Sequence, residues 1–183
     1  VSDWNCPAVF YMPYGAYLPG GSIWHSQANE SLFAHTPGLR VVLPSTPEDA
    51  AALMWTALHA EDPTIFLIPK HRFRKPFPVA PGEVPAVPFG KAAILREGTD
   101  ATIVTWGNCV EQATEAAELL AEEISVEVID LRSLVPWDRA LVGQSLEKTG
   151  RLIIVQEDNE SCSFGQKIIS DMVSDPESWD TFM

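Results

Sequence analysis

Short apolar runs alternate with helix-like segments along most of the chain. The runs are five to eight residues long and rich in Val, Ile and Leu, which is typical of strands buried in a sheet. The predicted strands are residues 8–12, 39–43, 64–68, 101–106, 124–131 and 151–156. The predicted helices are residues 46–59, 109–123, 137–150 and 164–173.

The order of these elements predicts an α/β fold. A strand, a helix and a second strand follow each other within about 30 residues, as in a parallel crossover unit. The nearly continuous apolar character of the later strands favours parallel sheets covered on both faces, so we expect a doubly wound domain in the second half. Ligands in such folds gather beyond the carboxyl ends of the strands, which here are the loops after Trp106, Leu131 and Gln156.

One helix has a well-defined start. Thr46 can cap it, Pro47 suits the first helical position, and Asp49 lies three residues after the cap, where a carboxylate meets free amide groups. The apolar side chains expected to form its buried face are Leu53, Met54, Trp55 and Leu58.

Residues 70–90 separate the two halves. They hold five prolines and show neither helical nor strand periodicity, so we interpret them as a linker. The basic cluster KHRFRK at their start is either an anion site or a solvated strand end.

The charge of the chain is uneven. The net charge of −13 divides into −2 for residues 1–90 and −11 for residues 91–183. Such an excess of acid repels phosphate backbones and argues against nucleic acid as a partner. It fits either a basic protein partner or an ordinary solvated surface.

Other features narrow the class of protein. No apolar run reaches the roughly 18 residues needed to cross a bilayer, and no export signal opens the sequence, so we expect a cytoplasmic or organelle-matrix protein without membrane contact. Cys6, Cys109 and Cys162 are far apart and form no metal-ligand spacing, which indicates reduced thiols. The sequence WGN is not a dinucleotide-binding motif.

A histidine stands in a glycine-rich segment between two apolar runs. In PGGSIWHSQANESLFAHTPG, residues 19–38, no helical period is visible, and we interpret the segment as a loop that carries His25. A neutral imidazole exchanges protons near pH 7, so a loop histidine is a candidate acid or base.

The sequence motifs resemble those of a known family. The strings CPAVFYMPYGAYLPGG, WHSQANESLFAHTPGLRVVLPSTPEDA and DPTIFLIPK, followed by VEVIDLRSLVPWD and KTGRLIIVQED, resemble the beta subunit of the thiamine-diphosphate-dependent 2-oxo acid dehydrogenases. The ordered combination of HSQ, FAHTPGL and PSTPEDA carries the resemblance. The string SCSFGQKIIS resembles forms in which alpha and beta regions are fused.

The resemblance implies two domains of the transketolase superfamily. Residues 1–72 would be the C-terminal part of a pyrimidine-binding domain, residues 73–90 the Pro-rich linker, and residues 91–183 a truncated transketolase-type C-terminal domain. We therefore expect the sequence to be a fragment of a larger protein, which by itself does not catalyse a reaction.

The resemblance also implies site residues. The family's catalytic histidine falls on His25, facing the thiazolium ring of the cofactor and the incoming lipoyl group, while Ser26 and Gln27 would hold the loop and His35 would be structural. Thiamine diphosphate and magnesium would be held mostly by parts outside this sequence, as would the family's activating glutamate. A structural potassium ion would use Ala8, Ala57, Leu58 and Asp62, with Ala60 replacing a common aspartate.

The implied partners are an alpha subunit or alpha region, a second beta copy and a lipoyl acyltransferase core. Glu157 and Asp158, after the last strand, are candidate contacts for a partner. Two alternatives stay open: another transketolase-type enzyme, such as transketolase or deoxyxylulose-phosphate synthase, and a docking module without catalysis. The motifs leave the substrate open between pyruvate, a branched-chain oxo acid and a longer one.

Overall fold

The computed structural model describes residues 5–16, 21–72, 75–78, 85–174 and 176, which form two four-stranded sheets. The strands are β1 (Val9–Tyr14), β2 (Arg40–Val42), β3 (Thr64–Pro69), β4 (Ala93–Arg96), β5 (Ala101–Thr105), β6 (Val126–Asp130), β7 (Ser133–Val135) and β8 (Leu152–Val155). The helices are α1 (Ser22–His25), α2 (Glu30–Ala34), α3 (Pro47–Leu58), α4 (Cys109–Leu119), α5 (Arg139–Thr149) and α6 (Phe164–Val173), and Lys70–Arg72 forms a 3-10 turn.

The first sheet has the strand order β1-β3-β2-β7. Its first three strands are parallel, and β7 from the second half of the chain pairs antiparallel with β2. The prediction that the first strand stops before Pro13 is wrong, since β1 continues to Tyr14. Because β1 lies at the edge of the sheet, a proline without an amide hydrogen is tolerated there.

The second sheet has the order β4-β6-β5-β8, and only its edge strand β4 is antiparallel. Helices cover both of its faces. Ile103 packs in a cluster with Ala113 of α4, whereas the next residue, Val104, packs with Val142 of α5. Successive strand residues point to opposite faces, so the doubly wound arrangement expected for this half is confirmed.

Two short strands were not predicted from the sequence. The four-residue β4 and the three-residue β7 pair antiparallel with strands whose apolar runs are longer. A segment this short carries too few positions for a periodic pattern to be recognised. The boundaries expected near residues 72 and 91 stay a prediction, and β7 joins the two halves within one sheet.

Helix α3 begins as predicted, but its buried face is different. The Thr46 hydroxyl accepts a hydrogen bond from the Asp49 amide at 3.1 Å, as in a standard N-cap. Leu53 is buried, whereas Trp55 and Leu58 are 60% and 64% exposed, so the prediction was wrong for these two residues. The core-facing positions instead include Ala52 and Ala57. They were overlooked because the prediction chose only large apolar side chains.

Residues 22–34 form two single helical turns rather than a plain loop. Helices α1 and α2 have four and five residues, so neither is long enough to show helical periodicity in the sequence. Residues 17–20, which include part of the Gly-Gly turn, lie outside the described residues.

One hydrophobic cluster spans both halves. It combines side chains of the first sheet with the strand ends and helices of the second half. Its largest contributors are Tyr14, Leu43, Leu67, Trp106, Ile129, Leu131, Leu134 and Phe164. Because apolar contacts are continuous across the boundary, packing fixes the relative position of loops that are distant in sequence.

A buried carboxylate also joins the halves. Asp130, at the end of β6, is fully buried and accepts hydrogen bonds from the Ser45 hydroxyl and, at 3.0 Å, from the Arg132 amide. The Arg132 guanidinium in turn binds the Asp49 carboxylate at 2.7 Å. Burial is the main reason why the pKa of Asp130 is raised to about 7.

This raised pKa predicts a stability that depends on pH. The folded state holds a proton on Asp130 that the unfolded state releases, so Asp130 makes the free energy of unfolding fall as pH rises from about 4 to about 7, with little change above. We expect Asp130→Asn to remove this slope. The urea midpoint of the variant minus that of wild type should therefore rise from pH 5 to pH 7.5. Glu118→Gln, on the exposed face of α4, serves as control and should run parallel to wild type. A constant difference between Asp130→Asn and wild type would contradict the prediction.

Candidate active site between the two halves

His25 lies on the protein surface, at the last position of α1. Its amide donates to the Gly21 carbonyl at 3.1 Å, closing the single helical turn. The Lys70 ammonium, just after β3, donates to the His25 carbonyl. Both bonds use main-chain groups of His25, and its side chain is exposed. The imidazole can therefore meet a group presented by another molecule.

A groove runs beside this turn, between the two halves of the chain. Its volume is about 830 Å³. One wall contains Ser26 and Gln27, and the other contains Glu157 and Asp158, which follow β8. The tertiary structure thus brings together the predicted loop residues and the predicted partner contacts, although they are about 130 positions apart in sequence.

Hydrogen bonds cross the groove at its base. The Glu157 carboxylate accepts from the Ala16 amide and, at 2.6 Å, from the side-chain amide of Asn108. The Ser31 hydroxyl donates to the Asp158 carboxylate. These bonds fasten residues around His25 to the second half of the chain.

Gly15 makes this close approach possible. Its φ of 74° lies in the left-handed region, and its amide donates to the Gln27 carbonyl at 2.9 Å. A Cβ at this position would overlap both the Glu157 carboxylate and the Asn108 amide. Only glycine fits here without displacing the groove wall.

The sequence analysis missed Glu30, which lies beneath the groove. It is fully buried, and its Oε1 accepts from the Tyr14 hydroxyl and the Trp106 indole N–H, both at 2.9 Å. Trp106 packs edge-on against Phe164, with ring centroids 5.8 Å apart. Burial raises the pKa of Glu30. An acidic residue five positions after His25, within the segment predicted to be a loop, was the available signal.

The charges around the groove do not suit a diphosphate. Among the described residues, those that line it include Glu157 and Asp158 but no lysine, arginine or histidine. Phosphate groups bind directly to cations or free amide groups, and two carboxylates repel them where no magnesium ion bridges the two. The groove therefore does not fit the diphosphate end of thiamine diphosphate.

Apart from Lys70, which bonds the His25 carbonyl, the described side chains of the basic cluster after β3 are directed toward α4. His71 and Arg72 lie 3.5 Å and 3.3 Å from the Glu111 carboxylate, which Lys75 also contacts. These side chains hold the start of the linker against α4. Residues 73 and 74, also in the cluster, lie outside the described residues.

The residues proposed for potassium lie near the end of α3 and the start of β3. The Ala8 carbonyl accepts from the Thr64 amide at 2.8 Å, and the Asp62 carboxylate binds the Arg40 guanidinium at 2.7 Å. Ala57 and Leu58 are the last two residues of α3. The potassium site stays a prediction.

The remaining candidates are His35 and the three cysteines, of which Cys162 lines the groove. His35 is exposed at the end of α2, and its structural role stays a prediction. The three cysteines are unpaired, and burial raises the pKa of Cys109 to about 11. Within the described ranges, no helix is both long and apolar enough to span a membrane.

Comparison with known proteins supports the family resemblance. Residues 1–76 match the model of the transketolase pyrimidine binding domain, and residues 90–178 match the model of the transketolase C-terminal domain. The chain is 41% identical over 172 residues to the 2-oxoisovalerate dehydrogenase subunit beta of Bacillus subtilis (strain 168), covering 91% of this chain and 51% of that protein. It is 45% identical over 165 residues to the pyruvate dehydrogenase E1 component subunit beta of Leifsonia xyli subsp. xyli (strain CTCB07), covering 90% and 48%.

A solved structure has the same fold. The chain superposes on a structure described as "Split gene transketolase, inactive beta4 tetramer" with a TM-score of 0.78 and 26% identity, covering 92% of this chain and 54% of that one. The chain spans about half the length of the curated relatives it matches. The predicted family and fold class are both confirmed: the chain belongs to the transketolase family, with a pyrimidine-binding segment followed by a C-terminal domain, and is similar to the beta subunits of 2-oxo acid dehydrogenases.

Proposed function

We propose that this chain is part of the decarboxylating component of a 2-oxo acid dehydrogenase complex, which decarboxylates a 2-oxo acid oxidatively and transfers the acyl group to lipoyl. The observation that carries the proposal is the exposed His25 beside a groove between two domains, in a chain 41% identical to a 2-oxoisovalerate dehydrogenase beta subunit. An imidazole at the surface is accessible to a carrier arm that arrives from another protein.

The chain supplies one part of a shared site. Because the groove does not fit a diphosphate, we propose that thiamine diphosphate and magnesium bind to an alpha subunit or alpha region. His25 then exchanges protons at the boundary between the two parts. As an imidazolium, it delivers a proton to the sulfur that leaves when the lipoyl dithiolane opens.

Ser26 and Gln27 hold the loop in this proposal. Both line the groove, and the Gln27 carbonyl is bonded to the Gly15 amide. The Gln27 bond fixes the main chain two residues after His25. A fixed main chain limits the positions that the imidazole can reach.

The charges of the groove disfavour the enzymatic alternative. A transketolase or a deoxyxylulose-phosphate synthase handles phosphorylated sugars and would favour basic side chains at the mouth of its site. In the described part of the chain, the groove beside His25 offers two carboxylates and no cation. We therefore favour an uncharged acyl carrier over a sugar phosphate as the second substrate.

We also propose a lipoyl acyltransferase core and a second beta copy as partners, in a bacterial cytoplasm or an organelle matrix. The net charge of −11 on residues 91–183 complements a basic subunit-binding domain. Partner contact by Glu157 and Asp158 stays a prediction, and both side chains already accept hydrogen bonds within the chain.

The test uses the complete enzyme, with this chain in its full-length polypeptide and the alpha part present. We expect labelled carbon dioxide to be released from 2-oxoisovalerate or pyruvate, and a lipoyl domain to gain the mass of the matching acyl group. A phosphorylated ketose serves as the comparison substrate. Two-carbon transfer from this ketose, without acylation of the lipoyl domain, would refute the proposal in favour of a transketolase-type activity. Absence of both activities would favour a docking module.

A further inference from the structure

We propose that Glu30 is a positioning residue for His25, acting as a neutral, buried double acceptor that holds the His25 turn against the second domain. The proposal rests on the proposed function only for its kinetic consequence. Its structural part concerns residues of this chain alone.

Helix α1 does not hold its own position. It has four residues, none of them buried, and its N-cap makes no side-chain hydrogen bond. A single helical turn is unstable in water because nucleation costs more than one hydrogen bond returns. The place of His25 is therefore set by contacts on either side of the turn.

Besides the Ser31–Asp158 bond described above, three contacts among the described residues anchor the segment. The Gly15 amide donates to the Gln27 carbonyl. The Lys70 ammonium donates to the His25 carbonyl, and this hydrogen bond is exposed to solvent. The third anchor is Glu30, which begins α2 and is fully buried. Buried hydrogen bonds are not exchanged with water, so Glu30 provides the most rigid of these anchors.

Glu30 connects three separate parts of the fold. Tyr14 donates from the end of β1, and Trp106 donates from the residue after β5. Both donors are themselves only 1% exposed. The carboxyl group therefore ties the His25 segment to the first sheet and to the second domain at once.

The geometry fits the protonated form of Glu30. Both donors address Oε1, while Oε2 is buried and has no hydrogen-bond partner among the described residues. A carboxylic acid with its proton on Oε2 leaves Oε1 free to accept twice. Either form leaves Oε2 without a partner, but only a carboxylate would also bury a negative charge, which costs more than burying a neutral group.

The surrounding groups point the same way. Asp158 and Glu157 approach from the segment after β8, Cys109 from the start of α4, and Tyr14 from β1. None of these groups is a cation. Burial, with a smaller contribution from the Asp158 carboxylate, raises the pKa of Glu30, against the hydrogen bonds from Trp106, its own backbone and Tyr14, which lower it.

If Glu30 is a neutral double acceptor, substitutions of Glu30 and Trp106 should rank in a specific order by how far they weaken the anchor of the His25 turn. In Glu30→Gln, the amide oxygen accepts from both Tyr14 and Trp106, so the anchor is preserved. Glu30→Ala leaves both donors buried without an acceptor. Trp106→Phe removes one donor but keeps an aromatic ring against Phe164, and we expect an intermediate effect.

The experiment uses the complete enzyme and measures His25 directly. The rate of carbethoxylation of His25 by diethyl pyrocarbonate is followed by peptide mass spectrometry between pH 6 and pH 8. His59 is the internal reference, because it is exposed directly after α3, does not line the groove, and its Nδ1 contacts the Trp55 carbonyl. We expect the His25 rate relative to His59 to stay within about twofold in Glu30→Gln and to change by at least about fivefold in Glu30→Ala, since only the second loses the anchor.

The kinetic readout is lipoyl acylation with 2-oxoisovalerate or pyruvate. We expect kcat to fall about 10- to 100-fold in Glu30→Ala with KM nearly unchanged, because displacement of a reacting group by about 1 Å has effects of this size. Glu118→Ala, exposed on α4, is the matched control and should resemble wild type. Should Glu30→Ala not fold, Trp106→Phe carries the same comparison.

Two results would overturn the proposal. One is unchanged His25 labelling in both Glu30→Ala and Trp106→Phe. The other is a Glu30→Gln variant as impaired as Glu30→Ala, since this would show that an ionised carboxylate is needed. A shift in His25 labelling without any lipoyl acylation, even in wild type, would leave Glu30 as an anchor and refute the proposed function instead.

Discussion

Replacing His25 by alanine in the complete enzyme is expected to lower the rate of acyl transfer to a lipoyl domain by about 10²- to 10⁴-fold, the usual contribution of a positioned acid or base. The reason is that His25 is exposed beside the groove, where its proton can reach a carrier from another protein. Binding of thiamine diphosphate should be largely preserved, because the diphosphate does not fit this groove. Intact-mass detection of the acylated lipoyl domain and calorimetric titration with the cofactor measure the two quantities.

His59→Ala is the matched control for this substitution. His59 is an exposed histidine of the same half, but it packs against Trp55 on α3, with ring centroids 4.3 Å apart, and lies outside the groove. We expect wild-type acylation in this variant. Unchanged acylation in His25→Ala would remove the proposed catalytic role, and a parallel loss in His59→Ala would indicate a general effect on folding or assembly.

Gly15→Ala is expected to destabilise the complete enzyme by about 2–5 kcal/mol. A left-handed φ costs a residue with a Cβ about 1–2 kcal/mol, and displacing Glu157 leaves the buried Asn108 amide short of a partner at about 1–3 kcal/mol. Because Glu157 and Gly15 both fix the His25 segment, lipoyl acylation should fall as well. Urea unfolding followed by tryptophan fluorescence measures the loss of stability.

Gly143→Ala is the control for the added methyl group. Gly143 lies within α5, and a Cβ there would meet no atom within 4 Å. Alanine is a better helix former than glycine, so we expect a gain of about 0.5–1 kcal/mol with unchanged acylation. A Gly15→Ala enzyme as stable and active as wild type would show that Glu157 and Asn108 can move to accommodate a Cβ, and would contradict the prediction.

The sequence predicted much of the fold because local patterns carried the information. The boundaries of α6 follow from the apolar pattern, and the start of α3 follows from the cap at Thr46. Strands β5, β6 and β8 stand out as apolar runs since both faces of their sheet are covered. The face of α3 was mispredicted because small alanines, rather than Trp55, point to the core.

The candidate site was only partly predictable. His25 was found through the HSQ motif, which is contiguous in the sequence. Glu30 was missed because its partners Tyr14 and Trp106 lie 16 and 76 positions away, so no local spacing marks it as buried. Glu157 was predicted only as a contact for a partner, and its role in bonding both the Ala16 amide and the Asn108 side chain was not visible.

The sequence by itself determined the family, the α/β alternation and the identity of the exposed histidine, since each is written in a contiguous pattern of residue types. The tertiary structure alone decided that β7 completes the first sheet, that a groove without cations forms beside His25, and that a buried glutamate lies beneath it. The physical reason is that burial, and with it the protonation of a carboxyl group, depends on which distant segments pack together.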